Sequence, residues 1–209
     1  LKEANATYIA LIPKVSNPST VKDFRPISCY TTIYKCISKL LASRLKLCLP
    51  DLISCNQSAF LSGRLRAENI LLAHDITQGY SRNKISPRCS FKVDLMKAFD
   101  AINWSLIQNT LTAFDFPAIF INWIMECITS TSFTIAINGS LEGYFNNRNG
   151  IRQGDPLSPI SFVLCIEVLS SMLNALQNDS DFDFHPNCAS LKLNHLCFAN
   201  DLLIFYKGD

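Results

Sequence analysis

The sequence predicts an α+β fold in which an antiparallel sheet packs on helices. Three observations predict it: an amphipathic helical stripe early in the chain, an alternating apolar run that turns at Asn138-Gly139, and a second hairpin pattern near the end. In order, Tyr8 to Ile12 reads as a short strand stopped by Pro13. Thr32 to Leu47 reads as a helix, with Ile33, Ile37, Leu40, Leu41 and Leu45 as its apolar stripe and Pro50 marking its end. Glu68 to Tyr80 is a second helix, Ser90 to Leu95 a strand, and Ser105 to Phe114 and Ala118 to Ile128 two more helices. Ser132 to Ile137 alternates into Asn138-Gly139, a strong hairpin signal, and the chain returns through Leu141 to Phe145. Leu157 to Leu176 is a long apolar helix expected to lie buried between layers. Leu191 to Ala199 and Leu202 to Tyr206 form the second hairpin, with Asn200-Asp201 at its turn.

Composition narrows the class. Of 209 residues, 48% are hydrophobic, which fits a folded globular chain and not a disordered one. No targeting signal is visible, and the most apolar stretch, Ile160 to Leu169, is short and carries Glu167, so no membrane span is expected. Nine cysteines stand singly with no Cys-x-x-Cys, which argues against a disulfide framework or a zinc site. They are expected mostly as small core residues in a reducing compartment. Residues 1–90 hold 13 Lys/Arg against 5 Asp/Glu, and residues 91–209 hold 6 against 12. A basic half joined to an acidic half suits a polyanion on one side and metal cations on the other; chance asymmetry on a solvated surface is the other reading.

Two carboxylates carry the chemistry. Asp94 ends the apolar strand Phe91-Lys92-Val93-Asp94 and reads as buried, where an acid is costly unless paired or metal-bound. Asp201 sits at the turn of the last hairpin. If the two strands are neighbours, both carboxylates face one crevice and can hold the paired hard cations of phosphoryl transfer. Otherwise they are a strand-end and a turn aspartate that never meet, and the two residues alone leave both readings open. Asp179-x-Asp181-x-Asp183 opens like a calcium loop, but Phe184 stands where glycine is needed and Ser190 where the closing Glu would be. It reads as a solvated connector. His74, His185 and His195 share no ligand spacing, and no G-x-x-x-x-G-K-[ST] phosphate loop exists.

The ordered strings Asp23-Phe24-Arg25-Pro26-Ile27-Ser28, Gln57-Ser58-Ala59-Phe60 with Gly63-Arg64, and Lys92-x-Asp94-x-x-Lys97-Ala98-Phe99-Asp100 run down the chain. Arg152-Gln153-Gly154-Asp155-Pro156-Leu157-Ser158-Pro159 and Phe198-Ala199-Asn200-Asp201 follow. Together they resemble the reverse transcriptase domain of LINE-type (non-LTR) retrotransposons, with a plant-like texture, nearly end to end. Group II intron reverse transcriptases share the layout but vary the Arg152–Pro159 block, and rank second.

The resemblance implies polymerase fingers and palm subdomains: residues 1–90 mainly fingers, 91–209 mainly palm, with a return to fingers within 105–150. It implies that Asp94, Asn200 and Asp201 are the catalytic positions and hold two Mg2+ ions, or Mn2+, with the Leu95 carbonyl completing the set. Phe99 matches the bulky residue under the sugar of the incoming nucleotide, where a ring collides with a ribose 2′-OH; without the flanking motif it would be an ordinary core aromatic. Gln153 and Gly154 match the loop that meets the nascent base pair. Pro156 is expected to open the long helix. Arg25 matches the arginine that clamps the triphosphate, with Lys14 as a second, weaker contact. Lys35, Lys39, Arg44 and Lys46, with Arg64 and Arg66, form a template-binding surface; a solvated helix face is the alternative for each.

The partners implied are an RNA template, a DNA primer and dNTPs, without a membrane. The chain is expected to begin inside the fingers and to stop before the thumb, with thumb and endonuclease regions belonging to a longer polyprotein. The parent element would be intracellular, cytoplasmic and nuclear. One position departs from the family pattern Phe-Ala-Asp-Asp: residue 200 is Asn. In a buried site that lost charge costs roughly 3–5 kcal/mol, or about 10²–10⁴-fold in rate. The expectation is an impaired RNA-directed DNA polymerase; the alternative is a non-catalytic remnant that at most binds RNA.

Overall fold

The computed structural model describes residues 3–80 and 86–208. Its elements are β1 (Ala6–Pro13), β2 (Phe24–Tyr30), α1 (Thr32–Leu52), α2 (Arg66–Thr77), β3 (Cys89–Asp94) and a one-turn α3 (Ala98–Ala101). They continue with α4 (Trp104–Ala113), α5 (Ala118–Thr129), β4 (Ser132–Ile137), β5 (Ser140–Asn146), α6 (Ser158–Ala175), β6 (His195–Phe198) and β7 (Asp201–Tyr206). The chain divides into two compact units. The first holds Leu1–Leu47 and Phe99–Ser161, the second Cys48–Ala98 and Phe162–Asp209. The chain crosses between the two units at residues 47/48, 98/99 and 161/162.

In the first unit four strands run in the order β2-β1-β4-β5. β1 pairs antiparallel with β2 but parallel with β4, so this sheet is mixed where the sequence predicted only antiparallel pairing. β4 and β5 join through Asn138 and Gly139, both at positive φ, the type I′ geometry that Asn-Gly favours. β2 was not legible: Pro26 interrupts its apolar pattern, and it is tolerated because β2 is an edge strand.

α1 differs from its predicted form in face and length. Ile33 and Leu40 are exposed, and the buried face is Tyr34, Ser38, Leu41, Ala42, Leu45 and Leu49. The helix also continues through Pro50 to Leu52. Buried Leu49 and Ile53 anchor that last turn on either side of the proline, through the Ile53 N–H donated to Leu49 O at 2.9 Å.

In the second unit β7 lies between β3 and β6 in an antiparallel three-stranded sheet. Its core gathers Ile76, Cys188, Leu193, Leu196 and Phe205. The predicted strand Leu191–Ala199 shortens to β6 because Ala189–Leu191 is a 3-10 turn and Lys192 sits at positive φ. α6 starts at Ser158, so Pro159, not Pro156, lies in its first turn. Ser158–Asn178 is long and apolar enough to cross a membrane by length and composition, contrary to expectation, but Ile160 through Cys165 are all buried in the protein. The nine cysteines remain thiols, and Cys29, Cys36, Cys48 and Cys55 are exposed instead of filling the core. Burial pushes the Cys197 thiol up to about 12, which leaves it protonated and inert.

Candidate active site

The hairpin β6–β7 builds a candidate site within the second unit. Its turn is Ala199-Asn200, with Ala199 at φ 52°, and Asp201 is already the first residue of β7. Phe198, Asp201 and Asp94 lie in one row across the three strands, because Asp201 pairs with Phe198 on one side and with Asp94 on the other. Directly opposed residues of an antiparallel pair project to the same face, so the two carboxylates are neighbours. Asp94 is exposed and Asp201 half-exposed, so the buried carboxylate expected from the sequence is an open one.

Two like charges so placed repel, and each carries its own partner. Asn200 Nδ2 donates to Asp94 Oδ1 at 2.9 Å, and Lys92 Nζ lies 3.3 Å from Asp201 Oδ1. Lys92 is two residues before Asp94 and therefore on the same face of β3. The Leu95 N–H donates to Asn200 O at 3.1 Å, tying the strand end to the turn. Among the described residues no group of three or more His, Cys, Asp or Glu side chains comes together around a cation position; Asp94 and Asp201 are hard oxygen donors of the kind a divalent cation takes. Asn200 joins them only with its amide turned, oxygen inward.

A bracket from Asn56-Gln57-Ser58 holds this turn, and the sequence reading gave those residues no role. Gln57 Oε1 accepts from the Ala199 N–H at 3.2 Å and from the Ala59 N–H at 2.9 Å, fixing the strained residue next to Asn200. The Ser58 N–H donates to Cys197 O, and the Cys197 N–H donates to Asn56 O. Glutamine serves because one buried amide oxygen accepts from two backbone donors. No periodicity signals such a partner.

A separate group of candidate residues lies in the first unit. The segment 147–155 crosses a hollow of about 230 Å³ whose lining includes Pro26, Asp100, Gly150 and Gln153. Gly150 packs against α3: a Cβ there would stand 2.6 Å from Asp100 O and 2.8 Å from Phe99 O, at φ 80°. The Ile151 N–H donates to Phe99 O at 2.8 Å, so Phe99 is fixed beside this segment. Gln153 and Gly154 are exposed at its tip, flanked by buried Arg152 and Asp155. Burial, then the nearby Asp155 charge, raises the Tyr34 phenol far above its usual range, so Tyr34 stays a donor to Asp155. Arg25 is exposed on β2 opposite Ile12. Lys14 is exposed as well, its Nζ donating to Lys22 O at 3.0 Å.

The chain matches the family model of reverse transcriptase (RNA-dependent DNA polymerase) over residues 12–209. It belongs to the reverse transcriptase family.

Its relatives are of the LINE-type, non-LTR kind. This reverse transcriptase domain is 31% identical over 79% of its length to a 149 kDa protein of transposon TX1 from Xenopus laevis, and covers 12% of that protein. It is 27% identical over 93% of its length to the Pol polyprotein of the type-2 retrotransposable element R2DM from Drosophila melanogaster, covering 17% of it. The domain thus spans a small part of the relatives it matches. Among solved structures, apo telomerase from Candida tropicalis superposes over 99% of the domain and 44% of that chain, with TM-score 0.68 at 15% identity. That likeness concerns the fold.

The cations predicted for nucleic acid separate into groups on the reverse transcriptase domain. Lys35, Lys39, Arg44 and Lys46 are exposed on α1. Arg66 opens α2, with its guanidinium 4.5 Å from the centroid of the Phe198 ring beside the Ala199-Asn200 turn. Arg64 differs: Nη1 donates to the carbonyls of Ser54 and Gln57 and Nη2 to that of Ile53. These hydrogen bonds close the loop before α2.

Proposed function

We propose that this domain carries out RNA-templated transfer of dNTPs to a primer 3′-OH, in a form weakened by Asn200. The observation that carries the reading is the pairing of Asp94 with Asp201 across β3 and β7 beside the Phe198–Asp201 turn. Two Mg2+ ions held by Asp94, Asp201 and the Leu95 carbonyl would supply the positive charge that stabilises the attacking and leaving oxygens. The protein's part is to orient. Arg25 and Lys14 offer cations to a triphosphate, Gln153 and Gly154 face the nascent base pair, and Phe99 supplies the ring that selects against a 2′-OH. Lys35, Lys39, Arg44, Lys46 and Arg66 take the template backbone as a sequence-independent polyanion.

The weakening follows from charge. Asn200 replaces a negative charge by an amide that donates to Asp94. Because Asp94 is exposed, the effective dielectric is high and the missing unit charge is worth about 1–4 kcal/mol, less than a buried site would lose. That corresponds to roughly 5–10³-fold in rate or cation affinity.

Asn200→Asp is therefore expected to tighten Mn2+ binding, read by calorimetry on this chain, and to raise primer extension on an RNA template over the same range. Equal cation affinity in the two proteins would refute the charge-loss account. Tighter binding without extension in either protein would favour the alternative reading, a non-catalytic remnant whose basic surface binds RNA.

A further inference from the structure

The tip Gln153-Gly154 is held by a buried device that neither the family match nor the motif assigns. Arg152 and Asp155, one on each side of the tip, are both nearly inaccessible and form an ion pair at 3.1 Å. Arg152 Nη1 donates to Thr7 Oγ1 on β1 at 2.8 Å, and the guanidinium lies over the Tyr34 ring, 4.0 Å from its centroid. Asp155 accepts from the Tyr34 hydroxyl at 2.6 Å, from the Ser38 hydroxyl, and from the Leu157 N–H at 3.0 Å, where it caps the approach to α6. Between these anchors the Tyr30 hydroxyl donates to Gly154 O at 2.8 Å, and Gly154 takes φ 93°.

Stability does not explain the pair. Two charges taken out of water are repaid by their attraction only in part, and apolar residues of the same volume usually hold a core as well or better. What this pair adds is position. With both flanks locked to β1 and α1, only two residues project, and the polar tip has little freedom to rotate.

We propose that Arg152, Asp155 and Tyr30 are positioning residues that hold the Gln153-Gly154 tip against an incoming nucleotide. None of them touches the substrate. They act by limiting where the Gln153 amide and the Gly154 backbone can be. Tyr30 closes the latch from β2, the strand that also carries Arg25, so the triphosphate contact and the support of the Gln153-Gly154 tip sit on one strand. The inference rests on the reading of Gln153 and Gly154 as nucleotide contacts, and its test separates the two.

Tyr30→Phe deletes one hydroxyl and leaves the ion pair, so the fold is retained and the melting temperature stays within about 2 °C. Amide order parameters from 15N relaxation of the whole chain, near 0.85 for rigid backbone, should fall below about 0.6 at Gln153 and Gly154 in this variant. dATP affinity, measured by titration, should drop about 5–20-fold, while affinity for a single-stranded RNA is unchanged. Asp155→Asn, which breaks the ion pair but stays isosteric, should give the same pattern with a larger loss. Unchanged order parameters in both folded variants would overturn the latch. A mobile tip with unchanged dATP affinity would overturn its role in nucleotide positioning. If the unmodified chain binds no dATP, the nucleotide reading itself fails, and the order parameters still decide whether the latch exists.

Discussion

His195 shows how a residue without catalytic spacing can still govern behaviour. It begins β6, is fully buried, and its ring nitrogens meet Ser170 Oγ at 2.7 Å and Asn194 Oδ1 at 2.6 Å. Burial pushes its imidazole down from 6.5 to about 4. The folded state thus binds a proton less readily than the unfolded chain. Stability of about 3 kcal/mol is present above pH 6.5 and is lost as pH falls toward 4. Urea melts should show the gap between the native chain and His195→Gln closing between pH 7.5 and 4.5; a gap independent of pH would refute the assignment. At this scale the sequence made Asp94 and Asp201 stand out among apolar neighbours, and the fold pairs them across β3 and β7, with Asp94 exposed where burial was expected. The sequence was silent on Gln57 and Gly150, whose roles depend on which backbone atoms the fold brings beside them.

At the scale of elements, turn chemistry proved more legible than helix faces. Asn138-Gly139 specified its hairpin because few dipeptides accept positive φ twice. The parallel pairing of β1 with β4 had no such local signal, since more than a hundred residues separate the two strands. α1 was rotated in the reading because Tyr34 and Ser38 look polar, yet their hydroxyls are what buried Asp155 requires. A buried carboxylate in the neighbouring layer decided the face, and aliphatic periodicity could not see it. The consequence is measurable. Leu45 is 1% exposed and Leu40 is 57% exposed. Leu45→Ala should cost about 2–5 kcal/mol, whereas Leu40→Ala should stay within about 0.5 kcal/mol. Equal losses in denaturant melts would restore the face first read from the sequence.

For the whole molecule, folding redistributes the charge. The linear split gives +8 for residues 1–90 and −6 for 91–209. Counted by compact unit, the first holds 10 Lys/Arg against 7 Asp/Glu and the second 9 against 10, or +3 and −1. Most of the asymmetry is therefore a property of chain order, because each unit draws on both halves. What survives is local: four exposed cations on α1, with Arg64 withdrawn into backbone hydrogen bonds. If RNA is held by that helix, affinity must follow counterion release, at a log–log salt slope of about −0.7 per phosphate engaged on a single strand. Replacing Lys35, Lys39, Arg44 and Lys46 together by Gln should flatten the slope by up to about 3, in proportion to the number of phosphates those side chains neutralise. Arg64→Gln should leave the slope alone and lower the melting temperature instead. A salt slope that the fourfold change does not move would place the polyanion off α1, and with it the template path inferred for this domain.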